Sequence, residues 1–182
     1  MRIISGEFKG RRLMTPSDDR VRPTTDKVKE AVFSIIAAYI PEGVFLDLFA
    51  GTGNMGLEAI SRGAKRAYFT DIDRRSMAMV RENVKHCRAE DRSVIMCTDY
   101  ISALDKINDT ADVIFLDPPY KEGIIEACIA KIAECNILKS DGIIVAEHSN
   151  RNKLPEELFG FKLMKKRGYG KIGISIYEKS VS

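Results

Sequence analysis

The tetrapeptide Asp117-Pro118-Pro119-Tyr120 contains the residue types that most directly indicate chemistry in this sequence. It follows an apolar run, 113–116, that is typical of a buried strand. The prolines stiffen the turn and fix the Pro118 carbonyl. That carbonyl and the Asp117 carboxylate could each accept one N–H of an exocyclic amine on a base, which would aim the nitrogen at a methyl donor. Tyr120 could stack on the base, a contact that contributes about 1–3 kcal/mol.

These features predict three catalytic residues, Asp117, Pro118 and Tyr120. The alternative is an ordinary surface turn. The strand before the tetrapeptide and a glycine motif upstream of it both favour the catalytic interpretation.

The glycine motif runs from Asp47 to Gly56 and has the form G-x-G-x-x-G between an apolar run and a helical pattern. Its glycines allow a tight turn and a close approach of the backbone to a ligand. By itself the motif would also fit a dinucleotide site. An acid four residues before the first glycine, however, suits a cationic ammonium group better than a pyrophosphate. The cofactor that matches is S-adenosylmethionine, and the predicted contacts here are Asp47, Phe49, Gly51 and Gly53.

Two further acids follow the next two apolar runs and complete the predicted cofactor site. Asp71 lies about twenty residues beyond the glycines, where an acid can bind ribose hydroxyls. Asp73 is its competitor, but it is better suited to capping the following helix. Asp99 could accept a hydrogen bond from the adenine amino group, although for Asp99 alone a helix N-cap is the stronger interpretation.

The chain from Thr25 to residue 147 alternates apolar runs with runs of helical periodicity. This alternation is typical of a parallel sheet with helices on both faces. The predicted strands are 44–48, 66–70, 94–98, 113–116 and 142–147. The predicted helices are one from the Thr25-Asp26 cap to Tyr39, and 54–62, 74–87, 100–107 and 123–135.

Both ends of the chain are expected to add β structure. Residues 2–14 alternate as in a strand and contain two glycines, which predicts a hairpin or extended arm. Residues 161–166 and 172–178, joined through a Gly-Tyr-Gly turn, are predicted to form an antiparallel pair. The expected fold is an α/β, Rossmann-like fold: a mostly parallel seven-stranded sheet with an antiparallel C-terminal hairpin, helices on both faces and an N-terminal β-hairpin arm.

Basic residues concentrate at the two ends of a chain whose net charge is only +3. This distribution predicts that both ends contact a phosphate backbone, although a solvated basic surface is an equally simple explanation. The candidate RNA-binding residues are Arg11, Arg12, Arg22, Lys165, Lys166 and Arg167.

The composition bounds the class of protein. A chain of 182 residues with 45% hydrophobic and 30% charged residues fits one soluble domain, here divided into an arm (1–23) and a core (24–182). No signal peptide or membrane-spanning run is expected. Four cysteines without C-x-x-C spacing and two histidines predict reduced thiols in the cytoplasm and no metal site.

Together, Asp47-Leu-Phe-Ala-Gly-Thr-Gly and Asp117-Pro-Pro-Tyr resemble the class I methyltransferases that act on amino nitrogens. The sequence more closely resembles the RsmD family, bacterial methyltransferases of the guanine N2 amine in 16S ribosomal RNA. The runs that carry this closer resemblance are Arg2-Ile-Ile-Ser-Gly, Gly10-Arg-Arg-Leu, Arg22-Pro-Thr-Thr-Asp-Lys-Val-Lys-Glu and Gly168-Tyr-Gly-Lys.

The resemblance covers essentially the whole chain. It implies S-adenosylmethionine as cofactor, the cofactor and catalytic residues named above, and a partly assembled small ribosomal subunit as partner. One departure is Asp71, where many relatives carry Glu; the shorter acid can still reach ribose hydroxyls.

Other functions remain open at this point. The nearest is an amino methyltransferase of adenine or cytosine in DNA or another RNA, although no target-recognition domain is visible. A protein-glutamine methyltransferase usually has Asn where this chain has Asp117. A nicotinamide-dependent oxidoreductase would leave Asp47 and the tetrapeptide unexplained. A non-catalytic RNA-binding factor for ribosome assembly would not need these positions intact.

Overall fold

The computed structural model describes residues 1–17 and 25–181, which form one eight-stranded sheet with helices on both faces. The strand order is β3-β2-β1-β4-β5-β8-β7-β6. Strands β1 to β5 are parallel to one another, whereas the pairs β5–β8, β8–β7 and β7–β6 are antiparallel. The strands are β1 (Val44–Asp47), β2 (Arg66–Asp71), β3 (Ser93–Cys97), β4 (Ala111–Leu116), β5 (Leu138–Ser149), β6 (Glu157–Leu158), β7 (Phe161–Tyr169) and β8 (Ile172–Lys179).

The described residues form five α-helices. They are α1 (Asp26–Ile35), α2 (Asn54–Ser61), α3 (Arg74–Cys87), α4 (Tyr100–Lys106) and α5 (Ile124–Cys135). Helix α1 precedes β1, and the other four each connect two consecutive strands from β1 to β5. The side chain of Thr25 caps α1 by accepting a hydrogen bond from the Val28 amide, as the sequence predicts. Apolar residues of α1, α2 and α3 pack in a core cluster on one face of the sheet, and those of α4 and α5 pack on the other.

The glycines between β1 and α2 have distinct structural reasons. Gly53 precedes α2 with φ of 80°, a left-handed conformation that side chains strongly disfavour. A Cβ on Gly56 would lie 2.4 Å from Cε1 of Phe69 on β2. The third glycine of the motif therefore lets α2 approach the sheet closely, which fixes where the helix begins.

Strand order reverses between β1 and β4, because the chain first builds outward through β2 and β3 and then returns to the other side. Ligands of open α/β sheets bind at such switch points, beyond the carboxyl ends of the strands. The loops after β1, β2, β3 and β4 all begin at this edge. The fold thus brings the predicted site residues to one side of the molecule.

The α/β class, the antiparallel C-terminal hairpin and the helices on both faces are confirmed. The helix predicted to reach Tyr39 ends at Ile35 and is followed by a short 3-10 helix, Ala37–Tyr39, and β5 begins at Leu138 and not at residue 142. Two larger features also differ from the prediction. The sheet has eight strands, because Glu157–Leu158 adds a two-residue strand at the edge of β7. The N-terminal hairpin is reduced to a single antiparallel bridge between Arg2 and Arg12. Its apolar residues are buried instead against the helices of the core: Ile3, Phe8 and Leu13.

Candidate active site

A cavity of about 640 Å³ opens at the carboxyl edge of the sheet, at the switch point between β1 and β4. This volume is in the range of small-molecule sites. Loops after four parallel strands contribute to it, together with β5 and the first residue of β8. Its lining comprises Leu48, Phe49, Gly51, Asp71, Ile72, Ser76, Thr98, Asp99, Tyr100, Asp117, Pro118, Pro119, Tyr120, Ile124, Glu147 and Ile172.

Asp71 joins the glycine loop to the end of β2. Its Oδ2 accepts a hydrogen bond from the Gly51 amide at 3.0 Å, and its Oδ1 accepts one from the Asp73 amide at 2.9 Å. Each carboxylate oxygen has a second lone pair, so Asp71 keeps acceptor capacity toward the cavity. Asp73 caps α3 through the Arg75 amide, the role that the sequence favours for it.

Asp47 lies beneath the glycine loop and not on the cavity wall. Its side chain is almost fully buried, and its Oδ2 accepts a hydrogen bond from the Gly56 amide at 3.3 Å. Its Oδ1 is buried and has no hydrogen-bond partner among the residues that the structure describes. Burial is the main cause that raises the pKa of Asp47 to about 7, and the nearby Asp71 raises it further. Gly53 is likewise outside the lining of the cavity.

Asp99 both lines the cavity and caps α4. Its carboxylate accepts hydrogen bonds from the amide and the hydroxyl of Ser102, at 2.9 and 2.8 Å. These bonds, the amide bond first, lower the pKa of Asp99, so that it is ionised at neutral pH. The two interpretations of Asp99 that the sequence leaves open are therefore compatible in space.

Two aromatic rings flank the same part of the cavity. The ring centroids of Phe49 and Tyr100 are 5.7 Å apart and their planes are tilted by 41°. Phe49 follows β1 and Tyr100 begins α4, so the pair bridges the loops after β1 and β3. Flat apolar surfaces of this kind suit a nucleobase.

Asp117 follows β4 directly and enters the cavity with Pro118 and Tyr120. Burial raises the pKa of Asp117 well above its usual value, and the carboxyls of Glu147 and Asp47 raise it further. Pro118 is buried, whereas Tyr120 is 60% exposed at the mouth. The three predicted catalytic residues are thus brought together in one cavity.

Tyr120 also borders a second cavity, of about 530 Å³, next to the first. The remaining lining comes from the end of β5 and the β7–β8 turn and includes two exposed cations, Arg151 and Lys171. The site therefore continues past Tyr120 into a basic surface.

The predicted RNA-binding residues divide into groups with different positions. Arg167 pairs with Ile174 on β8, and Ile174 pairs with Glu147 on β5, so the end of β7 lies near the cavity edge. Arg167 and Lys166 are exposed and Lys165 is half-buried.

Arg11 lies elsewhere. Its Nη1 donates a hydrogen bond to the carbonyl of His86, and its guanidinium lies 5.0 Å from the Phe8 ring centroid. His86 is about twelve residues into α3, which begins at the cavity edge, and at about 1.5 Å per residue this is a distance of about 18 Å. Arg12 is exposed. Arg22 is outside the described residues.

Sequence reasoning missed several residues of the cavity. Tyr100 directly follows Asp99, so its neighbourhood was a usable signal. Ile72, 75% exposed, also follows a predicted site residue. Glu147 gave no such signal, because it appears in the sequence as the polar end of an apolar strand and belongs to no motif.

Within residues 1–17 and 25–181, no group of three or more His, Cys, Asp or Glu side chains is placed to hold a metal ion. No helix within these ranges is long and apolar enough to cross a membrane. All four cysteines lie in the described ranges as free thiols.

A parallel sheet with this switch point, the glycine loop and the Asp-Pro-Pro-Tyr turn in one cavity define a methyltransferase of the Rossmann-like class I fold. A solved structure from Escherichia coli, provisionally named methyltransferase yhhF, has a TM-score of 0.89 and 30% identity to the chain, over 100% of this chain and 99% of that one. The chain belongs to the family described as conserved hypothetical protein 95, whose model matches residues 1–178. This confirms the RsmD family predicted from the sequence.

Two curated relatives show the same similarity over nearly the full length. A Bacillus subtilis protein, provisionally named rRNA methyltransferase YlbH, is 41% identical over 182 residues, which cover 98% of this chain and 99% of that protein. The ribosomal RNA small subunit methyltransferase D of Escherichia coli is 31% identical, over 98% of this chain and 90% of the relative.

Proposed function

We propose that this protein transfers a methyl group from S-adenosylmethionine to the exocyclic N2 amine of a guanine in small-subunit (16S) ribosomal RNA. The observation that carries the proposal is the single cavity that holds both the acids after β2 and β3 and the Asp117 turn after β4. The family membership and the names of the relatives support ribosomal RNA as the substrate class.

The residues around the cavity fit S-adenosylmethionine. The ribose hydroxyls would donate to Asp71, and adenine would lie near Asp99, against the exposed surface of the Phe49–Tyr100 pair. The buried carboxyl of Asp47, whose Oδ1 has no hydrogen-bond partner among the described residues, would attract the ammonium group from beneath the glycine loop. When bound, the cofactor supplies an electrophilic methyl group on a sulfonium.

The chain's own contribution is to position the nucleophile. The lone pair of an exocyclic amine is delocalised into the ring, so the nitrogen is a weak nucleophile. The Asp117 carboxylate and the Pro118 carbonyl would each accept one N–H, which directs the remaining lone pair along the line of attack. Fixing two reactants in line accounts for a large part of many enzymatic rate enhancements. The methylated amine becomes acidic and can lose its proton afterwards, so Asp117 need not be a strong base.

A base can enter this cavity only when it is unpaired or flipped out of its helix. Tyr120 at the mouth would stack on the base, and the basic surface beyond it would bind the flanking phosphates. That surface comprises Arg151, Lys171 and the predicted tail residues Lys165, Lys166 and Arg167. The proposed substrate is a partly assembled small subunit, and the proposed location is the cytoplasm. We further propose that the chain is one methyltransferase domain, composed of the arm (1–23) and the core (24–182). No metal is required.

The test is transfer of labelled methyl from S-adenosylmethionine to small ribosomal subunits that lack their native methylation. The wild-type protein should label the RNA and not the ribosomal proteins or added duplex DNA. Asp117→Ala should lower kcat by about 100-fold or more, the scale for removing one positioned hydrogen bond from a transition state, and leave cofactor affinity nearly unchanged.

Asp117→Asn is the matched control, because its amide oxygen still accepts one N–H. It should retain more activity than Asp117→Ala. Labelled protein or DNA in place of RNA would contradict the proposed substrate class, and lost cofactor affinity with normal kcat would contradict the role of Asp117.

A further inference from the structure

Glu147 is the cavity residue that the mechanism above does not use. It lies on β5, is only 4% exposed and lines the same cavity as Asp117. A carboxylate offers about four lone-pair sites, so Glu147 can accept from a ligand in addition to any contact within the protein. Its position therefore suits a ligand that brings hydrogen-bond donors.

The sheet register places Glu147 beside Asp117. Leu116 on β4 pairs with Ala146 on the parallel strand β5, and Asp117 and Glu147 are the next residues of the two strands. Neighbouring strands are about 4.8 Å apart. Two neighbouring acids raise the pKa of Asp117, and Glu147 raises it more than Asp47 does.

Both carboxyls leave the sheet on the same face. Phe115 and Val145 pack in the core cluster with α1–α3, while Leu116 and Ala146 pack in the cluster with α4 and α5. Side chains alternate along a strand, so the residues that follow return together to the first face. Two adjacent carboxyls thus face the space in which the target amine must lie.

The chemistry of guanine matches two adjacent acceptors. Its Watson–Crick edge presents the two N2 hydrogens and, next to them, the N1 hydrogen. Adenine and cytosine have an unprotonated ring nitrogen beside their exocyclic amines, which would face a carboxylate lone pair to lone pair. We infer that Glu147 is a specificity-determining residue that selects guanine by accepting the N1–H, while Asp117 accepts an N2–H.

This inference rests on the proposed function and deepens it, since it names how the same site chooses its base. A bulky hydrophobic wall could exclude bases by shape, but it would not distinguish N1–H from a bare N1. A buried carboxylate does distinguish them, because a charge-assisted hydrogen bond is replaced by repulsion between lone pairs.

The test replaces the target guanine, once mapped, by 2-aminopurine in an otherwise identical RNA. 2-Aminopurine keeps the N2 amine and has neither the N1 hydrogen nor the O6 oxygen. The wild-type protein should methylate the guanine RNA with a kcat/KM at least about tenfold higher than that for the 2-aminopurine RNA. In Glu147→Gln this ratio should fall at least about fivefold, because the amide can rotate and donate to the bare N1.

Glu178→Gln is the matched control. Glu178 lies at the far end of β8, paired with Ile143, and forms an ion pair with Lys162. It should keep the wild-type ratio. Calorimetric binding of the cofactor to Glu147→Gln should match the wild type and so report an intact fold.

The outcomes separate the inference from the proposed function. Methylation of guanine with the same ratio in wild type and Glu147→Gln would overturn the inference alone. Failure of the wild-type protein to methylate N2 of guanine would overturn the proposed function and the inference with it. The inference is supported if the kcat/KM ratio of guanine RNA to 2-aminopurine RNA falls in Glu147→Gln and equals the wild-type ratio in Glu178→Gln.

Discussion

At the level of single residues, Asp117 is the stronger acceptor for an N–H when it is ionised, yet its surroundings favour its protonated form. Burial is the main cause of its raised pKa, followed by the carboxyls of Glu147 and Asp47. A guanine edge that brings N–H donors would replace the missing proton. The acids of the cavity are therefore arranged for a ligand rich in donors.

The activity should fall as pH decreases through the raised pKa of Asp117, because protonated Asp117 is a neutral and therefore weaker hydrogen-bond acceptor for the amine than the carboxylate. The fall should occur at a higher pH than the usual range of an aspartate. It is measured as the pH profile of kcat/KM. In Asp117→Asn this acidic limb should disappear, and an unchanged limb would assign the titration to another group.

The raised pKa of Asp47 makes the free energy of unfolding depend on pH. Its pKa is raised from 3.8 to about 7, so the folded protein retains a proton that the unfolded chain releases above about pH 4. The stabilising contribution is present below about pH 4 and is lost as pH rises to about 7.

Wild type compared with Asp47→Asn should therefore lose free energy of unfolding between about pH 4 and about pH 7, by up to about 1.4 kcal/mol per pH unit. Urea unfolding of the cofactor-free proteins at several pH values measures this difference. A difference between the two proteins that does not vary with pH would mean that Asp47 is ionised in the folded state.

Tyr120 is expected to act through its ring. Tyr120→Ala should lower kcat/KM by about tenfold or more, since base–aromatic stacking contributes about 1–3 kcal/mol. Tyr120→Phe should stay close to the wild type in the same assay. Equal losses in the two variants would assign the effect to the hydroxyl group.

The sequence singled out the turn at Asp117, Pro118 and Tyr120, which the structure places in the cavity, because proline, aspartate and tyrosine stand next to each other in the chain. It could not predict Glu147, which is distant from Asp117 in sequence and adjacent to it only through the register of β4 and β5. For Asp47 the sequence predicted a contact with the cofactor in the cavity. The structure places its side chain beneath the glycine loop, where it is buried and its Oδ1 has no hydrogen-bond partner among the described residues.

At the level of helices and strands, a buried ion pair joins α1 to α2 and also holds the N-terminal arm through hydrogen bonds. Nζ of Lys29 lies 3.0 Å from Oε2 of Glu58, and both side chains are fully buried. Glu58 also accepts the amides of Ile4 and Ser5, and Lys29 donates to the carbonyl of Arg2. The alternation of apolar residues in the arm predicted a hairpin. It could not predict that backbone groups of residues 2–5 bond to charged side chains on α1 and α2.

Lys29→Met should lower the free energy of unfolding by about 3 kcal/mol, because it leaves a buried carboxylate without this partner. The double variant with Glu58→Gln should be less destabilised than the sum of the two single variants. Urea unfolding of the wild type and the three variants gives this coupling. Strictly additive losses would show that the pair does not act as a unit.

If RNA binds at the edge of the cavity, the basic residues at the end of β7 should contribute more to RNA binding than those of the N-terminal arm. Replacing Lys166 and Arg167 by Gln should weaken RNA binding and lower the slope of log K against log salt by about 0.7 for each phosphate that is no longer neutralised. Replacing Arg11 and Arg12 by Gln should change the slope less, since Arg11 is bonded to His86 far from the cavity. Weakened binding in the arm variant alone would contradict this placement.

At the scale of the whole molecule, the order of strands determines where the chemistry can occur. The acids at the ends of β1 and β2 and in the loops after β3 and β4 are far apart in the sequence, and the parallel sheet gathers them at one edge. Periodicity predicted this sheet well, because each buried strand is a nearly continuous apolar run. It could not predict the edge strand Glu157–Leu158, which is too short and polar to leave a pattern.

The charge distribution of the molecule follows the same geometry. The exposed cations of the β7–β8 end lie beside a cavity lined by acids, so a polyanion would be held at the rim while a base with donor groups enters the interior. This arrangement fits a single protruding nucleotide better than a continuous duplex.

The central claim is tested most directly by identifying the nucleoside that receives the label. Unmethylated small subunits are incubated with labelled S-adenosylmethionine and the protein, and the RNA is digested to nucleosides, which are then separated. If the proposed function is right, the label appears in N2-methylguanosine. Label in a methylated adenosine or cytidine, or no label in RNA while the protein binds the cofactor, would contradict it.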